Sequence, residues 1–492
     1  MANNRASGLA KTSPILIIGA GVFGLSTAIH AARRGYTNIT VFDRQSYEQS
    51  NYDFDKGCDA ASADINKIVR TAYGDEIDHQ EMCTEAIKEW REWDQEIASG
   101  KDLPPGMTTE DRVFVNNGSL SLSATQRLDM YEVDSIEGMR AAGLRKSALV
   151  TTDEKDQTEA SKQGFAYALD PFRREEKGLP YIGLLDTTGG YAVADNACRL
   201  ALHKAKRLGV RFVFGERRGT LKELVYRDES RTDVTGIITE DGSVHSSSLV
   251  LLACGGWTPA LVPQLDGITE ATAGSVALVK IPPTSRLRER YSEKNFPTFQ
   301  FRMYGGSNGG LYGFACDNRG LLKIGYRGTR YTNPLVQQDG KERSVPITRW
   351  TLPHRTDKIA AHALAVINQF IDEEMPDIRA EGLGITRTRL CWYTDTFDDH
   401  YIIDYVPGST SLMVATGCSG HAFKFLPNIG KHVVDIWERS GTDQLPKSRW
   451  LWRRLREGQK PDNIIMQGSA GPNTLSKANM VLAGQEATLA KL

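Results

Sequence analysis

The chain has 492 residues, 40% of them hydrophobic, so it is long enough to bury the cores of two or three domains. Its 60 basic and 61 acidic side chains leave a net charge of −1, which argues against nucleic acid or an anionic membrane surface as a partner. Seven scattered cysteines without a CxxC fit neither a disulfide framework nor a zinc site, and no apolar run approaches the roughly 18 residues of a membrane span. The nine histidines show no metal-ligand spacing, so we also expect no metal.

A βαβ unit that holds a dinucleotide is predicted at residues 15 to 43, which read ILIIGAGVFGLSTAIHAARRGYTNITVFD. Gly19 permits the tight turn, Gly21 leaves room for a pyrophosphate, and Gly24 lets the helix pack against the strand. Asp43, at the end of the second strand, suits a ribose hydroxyl and disfavours NADP. The motif by itself does not distinguish FAD from NAD.

The rest of the chain is predicted to alternate between this domain and a second lobe. In chain order, the pattern predicts a helix from about Asp78 to Ile97, an inserted lobe at residues 100 to 180, a βα unit at 189 to 215, a buried strand with a glycine turn at 248 to 257, and a sheet-based lobe at 265 to 385 with a helix near 357 to 373. The strand at 248 to 257 is either a plain core strand or, as the order of the pieces favours, a strand end beside the cofactor.

Four separated motifs occur in order between residue 14 and about residue 435: GAGVFGLSTAIHAARRGY, INKIVRTAYGD, LCWYTDTFDDHYIIDYVPG and ATGCSGHAFKFLPNIGKHVVD. In this order they resemble the monomeric sarcosine oxidase family, which includes pipecolate and saccharopine oxidases and the fungal amadoriases. The resemblance implies an α/β (α+β) fold with a Rossmann-like FAD-binding domain. It also implies an inserted substrate domain, whose antiparallel sheet covers the isoalloxazine ring.

Domain boundaries follow from combining the resemblance with the pattern. We predict an FAD-binding domain at residues 12–98, 183–264 and 386–440, a substrate domain at residues 99–182 and 265–385, and a C-terminal extension at residues 441–492.

The resemblance implies that the FAD is covalently bound. The cysteine that opens the family's Cys-x-Tyr-Thr motif forms a thioether to the flavin, and Cys391 is at that position. Such a link anchors the cofactor and tends to raise its potential. The alternative is a buried cysteine that acts as a small apolar side chain. Cys418, in a glycine-rich turn, is a weaker candidate for the link.

An amino-acid carboxylate that enters a dry pocket must be matched by cations. Arg70 and Lys424 match the family's carboxylate-binding positions, where Arg offers a planar fork and Lys a point charge. The alternative for Arg70 is a surface salt bridge. Lys424 stands between two phenylalanines, where a lysine needs a partner or a cofactor.

Oxygen activation needs a positive charge beside the flavin. Lys323 matches the family's oxygen-activating lysine, and strand alternation points it away from its apolar neighbours. The alternative is a solvated lysine on the wet face of a sheet. Lys67 is at a second basic position near the flavin, and Arg327 replaces an active-site His of the family. Arg327 would meet a second acidic or phenolic group of the substrate, or would be a surface arginine. Tyr393 would form a wall of the pocket or fill the core.

These arguments predict two sets of site residues. The predicted catalytic or substrate-binding residues are Lys323, Arg70, Lys424, Lys67, Tyr393 and Arg327. The predicted cofactor-binding residues are Gly19, Gly21, Val22, Phe23, Gly24, Asp43, Arg44, Ser62, Lys67, Val213, Cys254, Gly255, Trp257, Cys391, Gly420, His421, Phe423 and Lys424.

By resemblance, the chain is expected to oxidise the secondary amine of an N-substituted amino acid to an iminium, with O2 as acceptor and hydrogen peroxide as product. Fructosyl amino acids, saccharopine and an N-methylated intermediate of fungal secondary metabolism that undergoes ring closure remain alternative substrates. An FAD dehydrogenase with another acceptor remains an alternative activity. The last residues, Ala490-Lys491-Leu492, are close to the Ser-Lys-Leu peroxisomal signal, so we expect a peroxisomal location and otherwise a cytoplasmic one.

Overall fold

The computed structural model describes residues 8–303, 310–348, 357–444, 446–459 and 471–485. The peroxisomal signal predicted at residues 490 to 492 lies outside these ranges and stays a prediction. Among the described residues, no helix is long and apolar enough to cross a membrane.

A six-stranded sheet contains the predicted βαβ unit. Its strands, in spatial order, are Ile402–Tyr405, Leu412–Thr416, Leu249–Leu252, Ile15–Ile18, Ile39–Asp43 and Arg211–Phe214. All neighbours are parallel except the first pair. The four residues of Ile15–Ile18 are all buried, because helices cover one face of this sheet and the strand Val234–Thr239 packs against the other. The helix Val22–Arg33 follows directly and packs against Ala194–Arg207 and Ile429–Trp437.

An eight-stranded sheet forms the second lobe. Its strands, in spatial order, are Ile385–Thr396, Thr269–Lys280, Leu321–Tyr331, Leu311–Gly313, Thr298–Arg302, Ser119–Ser123, Gly183–Asp186 and Ala148–Val150. Only Thr298–Arg302 and Ser119–Ser123 pair in parallel. The sheet therefore joins strands from both predicted pieces of the substrate domain. It also includes Gly183–Asp186 and nearly all of Ile385–Thr396, which the sequence assigned to the FAD-binding domain.

Smaller elements surround the two sheets. Two three-stranded sheets consist of Asn66–Val69, Gly190–Val193 and Phe114–Val115, and of Leu221–Tyr226, Val234–Thr239 and Val244–Ser246. The other long helices are Ile77–Ala98, Met130–Ala141, Glu154–Lys162 and Ala361–Glu374. The predicted βα unit at 189 to 215 is split, because Gly190–Val193 pairs with Asn66–Val69 while Arg211–Phe214 joins the six-stranded sheet.

Candidate active site

The glycine turn after the first strand is closed by contacts that leave no room for side chains. Gly19 has a φ of +108°, and a Cβ added there would lie 2.3 Å from the Ala253 carbonyl oxygen. A Cβ on Gly21 would lie 3.0 Å from Ser62 Oγ. The helix starts at Val22 without a side-chain cap, so the N–H groups of its first turn are available to a bound anion.

A cavity of about 370 Å³ opens at this turn and is called here the nucleotide cavity. The predicted cofactor residues that line it are Gly19, Gly21, Val22, Phe23, Asp43, Arg44, Ser62, Lys67, Cys254, Gly255, Trp257, Cys391, Gly420 and Phe423. Four predicted residues do not line it. A Cβ on Gly24 would meet the Gly19 carbonyl, Val213 pairs with Phe42 inside the sheet, and His421 and Lys424 face a second cavity. The sequence prediction missed Thr394, in the strand Ile385–Thr396, and Thr416 and Gly417, at the end of the strand Leu412–Thr416, all of which line the cavity.

Asp43 is held by backbone donors. The Ala20 N–H donates to its carboxylate at 2.8 Å and the Gln45 N–H at 2.9 Å. Burial raises the pKa of Asp43 above its usual value. The carboxylate therefore stabilises the glycine turn itself, and its contact with a ribose hydroxyl stays a prediction.

The second cavity, called here the substrate cavity, has a volume of about 950 Å³. It shares four lining residues with the nucleotide cavity, namely Lys67, Tyr393, Gly420 and Phe423. The two cavities are therefore adjacent, and a molecule in the substrate cavity would lie next to a group bound in the nucleotide cavity.

Arg70 lines the substrate cavity just after the strand Asn66–Val69. Its guanidinium lies between two aromatic rings, 4.8 Å from the centroid of Tyr73 and 5.2 Å from that of Tyr131. It donates to the Tyr131 hydroxyl and, at 3.2 Å, to the Ala72 carbonyl. No described carboxylate lies within ion-pair distance of Arg70, so the surface salt bridge considered from the sequence is absent from the described residues.

Lys424 lies in the same cavity and is 3% exposed. Its ammonium donates to the Tyr73 hydroxyl at 2.6 Å and to the His421 carbonyl at 3.2 Å. Burial, followed by the charges of Arg70 and Arg327, lowers the pKa of Lys424 to about 7. Like Arg70, Lys424 has no ion-pair partner among the described carboxylates.

Lys323 is 1% exposed and lines neither of these cavities. Its ammonium donates to Asp64 at 2.7 Å and to the Asn66 carbonyl at 2.8 Å, which excludes the solvated lysine considered from the sequence. Asp64 also pairs with Lys67 at 2.9 Å and with Arg389 at 2.5 Å. Burial alone would raise the pKa of Asp64, but these three cations hold it well below its usual value. The sequence prediction missed Asp64, although its spacing from Lys67 is that of a local ion pair.

Arg327 lies where the two cavities meet. Its guanidinium is 4.5 Å from the centroid of the Tyr393 ring and donates to the Ser419 carbonyl at 3.2 Å. The Tyr393 hydroxyl in turn lies 3.2 Å from that of Tyr312. Gly420 has a φ of +76°, and a Cβ there would lie 2.3 Å from the Arg327 guanidinium. Arg327 is therefore a cavity residue and not the surface arginine considered from the sequence.

Glu76, His79 and His400 also line the substrate cavity, and one ligand atom from each lies within 4.8 Å of the others. This set has the chemistry of a metal site. However, Arg449 donates to the Glu76 carboxylate at 2.6 Å and already neutralises it. We assign no ion to this cluster, and the expectation of no metal stays a prediction.

Comparison with known protein families shows to which family the chain belongs. A family model described as FAD dependent oxidoreductase (DAO) matches residues 14–436, which is most of the chain. The chain belongs to this family. The resemblance, the fold class and the FAD dependence predicted from the sequence are therefore confirmed.

This oxidoreductase is similar to named oxidases over nearly its full length. It is 29% identical to L-saccharopine oxidase of Schizosaccharomyces pombe, with 89% of this chain and 93% of that protein covered. It is 25% identical to N-methyl-L-tryptophan oxidase of Salmonella enteritidis, with 86% and 94% covered. A crystal structure of a modified fructosyl peptide oxidase from Aspergillus nidulans superposes with a TM-score of 0.74 at 26% identity, covering 95% of this chain and 99% of that one.

The residues of the nucleotide cavity fit FAD. The glycine turn excludes side chains where a pyrophosphate approaches a helix N-terminus. The hydroxyls of Thr394 and Thr416 line the cavity, are buried, and have no hydrogen-bond partner among the described residues. Buried polar atoms are normally paired, so these two hydroxyls are suited to polar atoms of the cofactor.

Proposed function

We propose that this FAD-dependent oxidoreductase oxidises the secondary amine of an N-substituted amino acid and passes the electrons to O2, producing hydrogen peroxide. The observation that carries the proposal is the pair Arg70 and Lys424: two cations without a described carboxylate partner, facing a cavity that adjoins the nucleotide cavity. The named relatives support the proposal, because saccharopine, N-methyl-L-tryptophan and fructosyl peptides all carry a secondary amine.

The cation pair suits a substrate carboxylate. An uncompensated buried cation is costly, and a carboxylate that meets both cations would stabilise them while it leaves water. Arg70 can offer a planar fork that Tyr73 and Tyr131 keep in place, whereas Lys424 offers a point charge. The carboxylate would thus be fixed, and the adjoining C–N bond would be held next to the common wall of the two cavities.

The same cations would favour the neutral amine. A protonated secondary amine would meet the charges of Arg70, Lys424 and Arg327, and like charges disfavour the protonated form. Bound FAD supplies the acceptor for the two electrons that leave the C–N unit. The product is an iminium, open to attack by water or by a nucleophile within the same molecule.

A covalent link through Cys391 is part of the proposal. Cys391 lines the nucleotide cavity, and the Lys67 ammonium lies 3.9 Å from its sulfur. Cys418 lines the same cavity, but its sulfur accepts the Thr394 N–H at 3.4 Å. After acid precipitation, we expect yellow colour on the pellet of the wild type and of Cys418→Ala, and in the supernatant for Cys391→Ala. Colour in the wild-type supernatant would rule out the link.

The panel that tests the activity consists of N-methyl-L-tryptophan, saccharopine, pipecolate, sarcosine and a fructosyl amino acid. We expect at least one to bleach the flavin anaerobically and to yield peroxide in air, and Arg70→Gln to raise its KM strongly. The cavity of about 950 Å³ favours the larger members over sarcosine. No bleaching by any of them would overturn the proposal.

The alternative activity is an FAD dehydrogenase with another acceptor. It is favoured by one observation, namely that the Lys323 ammonium is occupied by Asp64 and does not reach either cavity. The two activities are distinguished by mixing the reduced enzyme either with air or with a quinone. An oxidase is reoxidised rapidly by air alone, whereas a dehydrogenase needs the other acceptor.

Peroxisomal targeting by Ala490-Lys491-Leu492 is a separate part of the proposal. A fluorescent protein that carries this tripeptide at its C-terminus should enter peroxisomes, and the same fusion with Lys491→Glu should not.

A further inference from the structure

Arg327 offers a positive charge to the substrate cavity apart from Arg70 and Lys424. Its side chain is 27% exposed and lines that cavity, so a ligand there can reach the guanidinium. Its one hydrogen bond to the described residues goes to the Ser419 carbonyl, and its buried Nε has no partner among them. Most of its donors are therefore available.

The carboxylate nearest to Arg327 is already used by another arginine. Asp395 is 0% exposed and pairs with Arg330 at 2.5 Å, whereas it lies 3.9 Å from Arg327. The Thr272 hydroxyl also donates to Asp395. Asp395 therefore neutralises Arg330 first, and no other described carboxylate lies within ion-pair distance of Arg327.

Arg302 is another arginine of the substrate cavity, and two carboxylates of the protein neutralise its charge. It lines the same cavity, but Asp129 at 3.1 Å and the buried Glu132 both pair with it. Among the described residues, Arg327 has only the more distant Asp395, at 3.9 Å, which pairs more closely with Arg330, although the position of Arg327 is tightly built. The Tyr393 ring supports one face of the guanidinium, and Gly420 is the residue whose missing side chain leaves room for it.

We propose that Arg327 is a second anion subsite, which binds an acidic group on the N-substituent of the substrate while Arg70 and Lys424 bind the amino-acid carboxylate. This inference rests on the proposed function and narrows it. The preferred substrates are N-substituted amino acids with at least two carboxylates, one on each side of the oxidised nitrogen. A guanidinium binds a carboxylate through two parallel hydrogen bonds, so an acid is distinguished from a neutral group of the same shape.

The test compares N-(3-carboxypropyl)-L-alanine with its amide, N-(3-carbamoylpropyl)-L-alanine, and with shorter and longer members of both series. The acid and the amide have the same shape and differ in charge. We expect the wild type to prefer the acid by about tenfold or more in kcat/KM at the best length. In Arg327→Gln this preference should disappear, and in Arg327→Lys part of it should remain.

Arg302→Gln is the matched control, because its charge is already neutralised, and the acid-to-amide ratio should persist. The inference is overturned if the wild type shows no preference at any length, if the preference survives in Arg327→Gln, or if Arg302→Gln loses it equally. The ratio is measured within each variant, so partial misfolding does not change it. N-methyl-L-alanine has no acidic group on its N-substituent, so it distinguishes failure of the second subsite from failure of the proposed function. Turnover of this compound without an acid preference defeats the second subsite alone, whereas no flavin reduction by any compound defeats both proposals.

Discussion

The Lys323 ammonium donates to the Asp64 carboxylate over 2.7 Å, and each side chain is only 1% exposed. Asp64 is shared with Lys67 and Arg389, so one acid balances three cations. Burial, the largest influence, lowers the pKa of Lys323 to about 8. Of these three cations, only Lys67 lines the wall common to the two cavities. The cluster can therefore influence a bound cofactor in two ways, through the position of Lys67 and through its own net positive charge.

Replacing Lys323 by Met tests its predicted role with O2. Methionine has similar length without the charge, and Asp64 keeps two other partners. If Lys323 stabilises negative charge that develops on oxygen, reoxidation of the photoreduced flavin in air should slow by about 100-fold. Anaerobic reduction by the amine should change far less. Reoxidation at the wild-type rate would remove Lys323 from the oxygen reaction.

Replacing Asp64 by Asn is expected to destabilise the fold. The substitution leaves three cations near one another in a buried place, and breaking a buried ion pair in this way costs about 3–5 kcal/mol. The matched control is Asp55→Asn, which breaks an exposed pair with Arg387 and should cost at most about 1 kcal/mol. Urea unfolding of the two variants measures the difference. Equal losses would show that Asp64 is not a central counter-charge.

Local pattern was enough to predict the glycine turn of the nucleotide cavity. The glycine turn depends on residues adjacent in sequence, and its strand, helix and second strand follow within residues 15 to 43. The same pattern predicted that the Asp43 carboxylate meets a ribose hydroxyl, but not that the N–H groups of Ala20 and Gln45 donate to it.

Long-range pairing was not readable from the chain. Strand alternation set Lys323 on the face opposite Leu322 and predicted an open or flavin-facing side. In the fold both faces are covered, because Asp64, 259 residues earlier, is brought against the ammonium. Tyr131 is similar: it comes from the inserted lobe, and only the folded chain places it beside Arg70.

Removing the Tyr73 hydroxyl should weaken substrate binding. In Tyr73→Phe, the ring beside Arg70 is kept, but the Lys424 ammonium loses the acceptor 2.6 Å away. A hydrogen bond to a charged group contributes about 1.5–3 kcal/mol, so kcat/KM should fall by about tenfold or more, mainly through KM. Tyr167→Phe, which removes a hydroxyl bonded to the Asn117 carbonyl outside both cavities, serves as the control. A fall in kcat with unchanged KM would contradict a binding role.

The lowered pKa of Lys424, about 7, predicts opposite pH trends for binding and for stability. The ammonium loses its proton as the pH rises through 7, so a simple carboxylate without an amine, such as butyrate, should bind more weakly above that pH. The flavin spectrum reports this binding. In the unfolded chain Lys424 keeps its ordinary pKa of 10.5, so between about pH 7 and 10.5 the unfolded state holds the extra proton. The contribution of Lys424 to the free energy of unfolding therefore rises with pH across this window. Lys424→Met removes this group, so its free energy of unfolding should rise less between these pH values than that of the wild type. If butyrate affinity in the wild type stayed constant across the window, the ammonium would not be a binding group for the carboxylate.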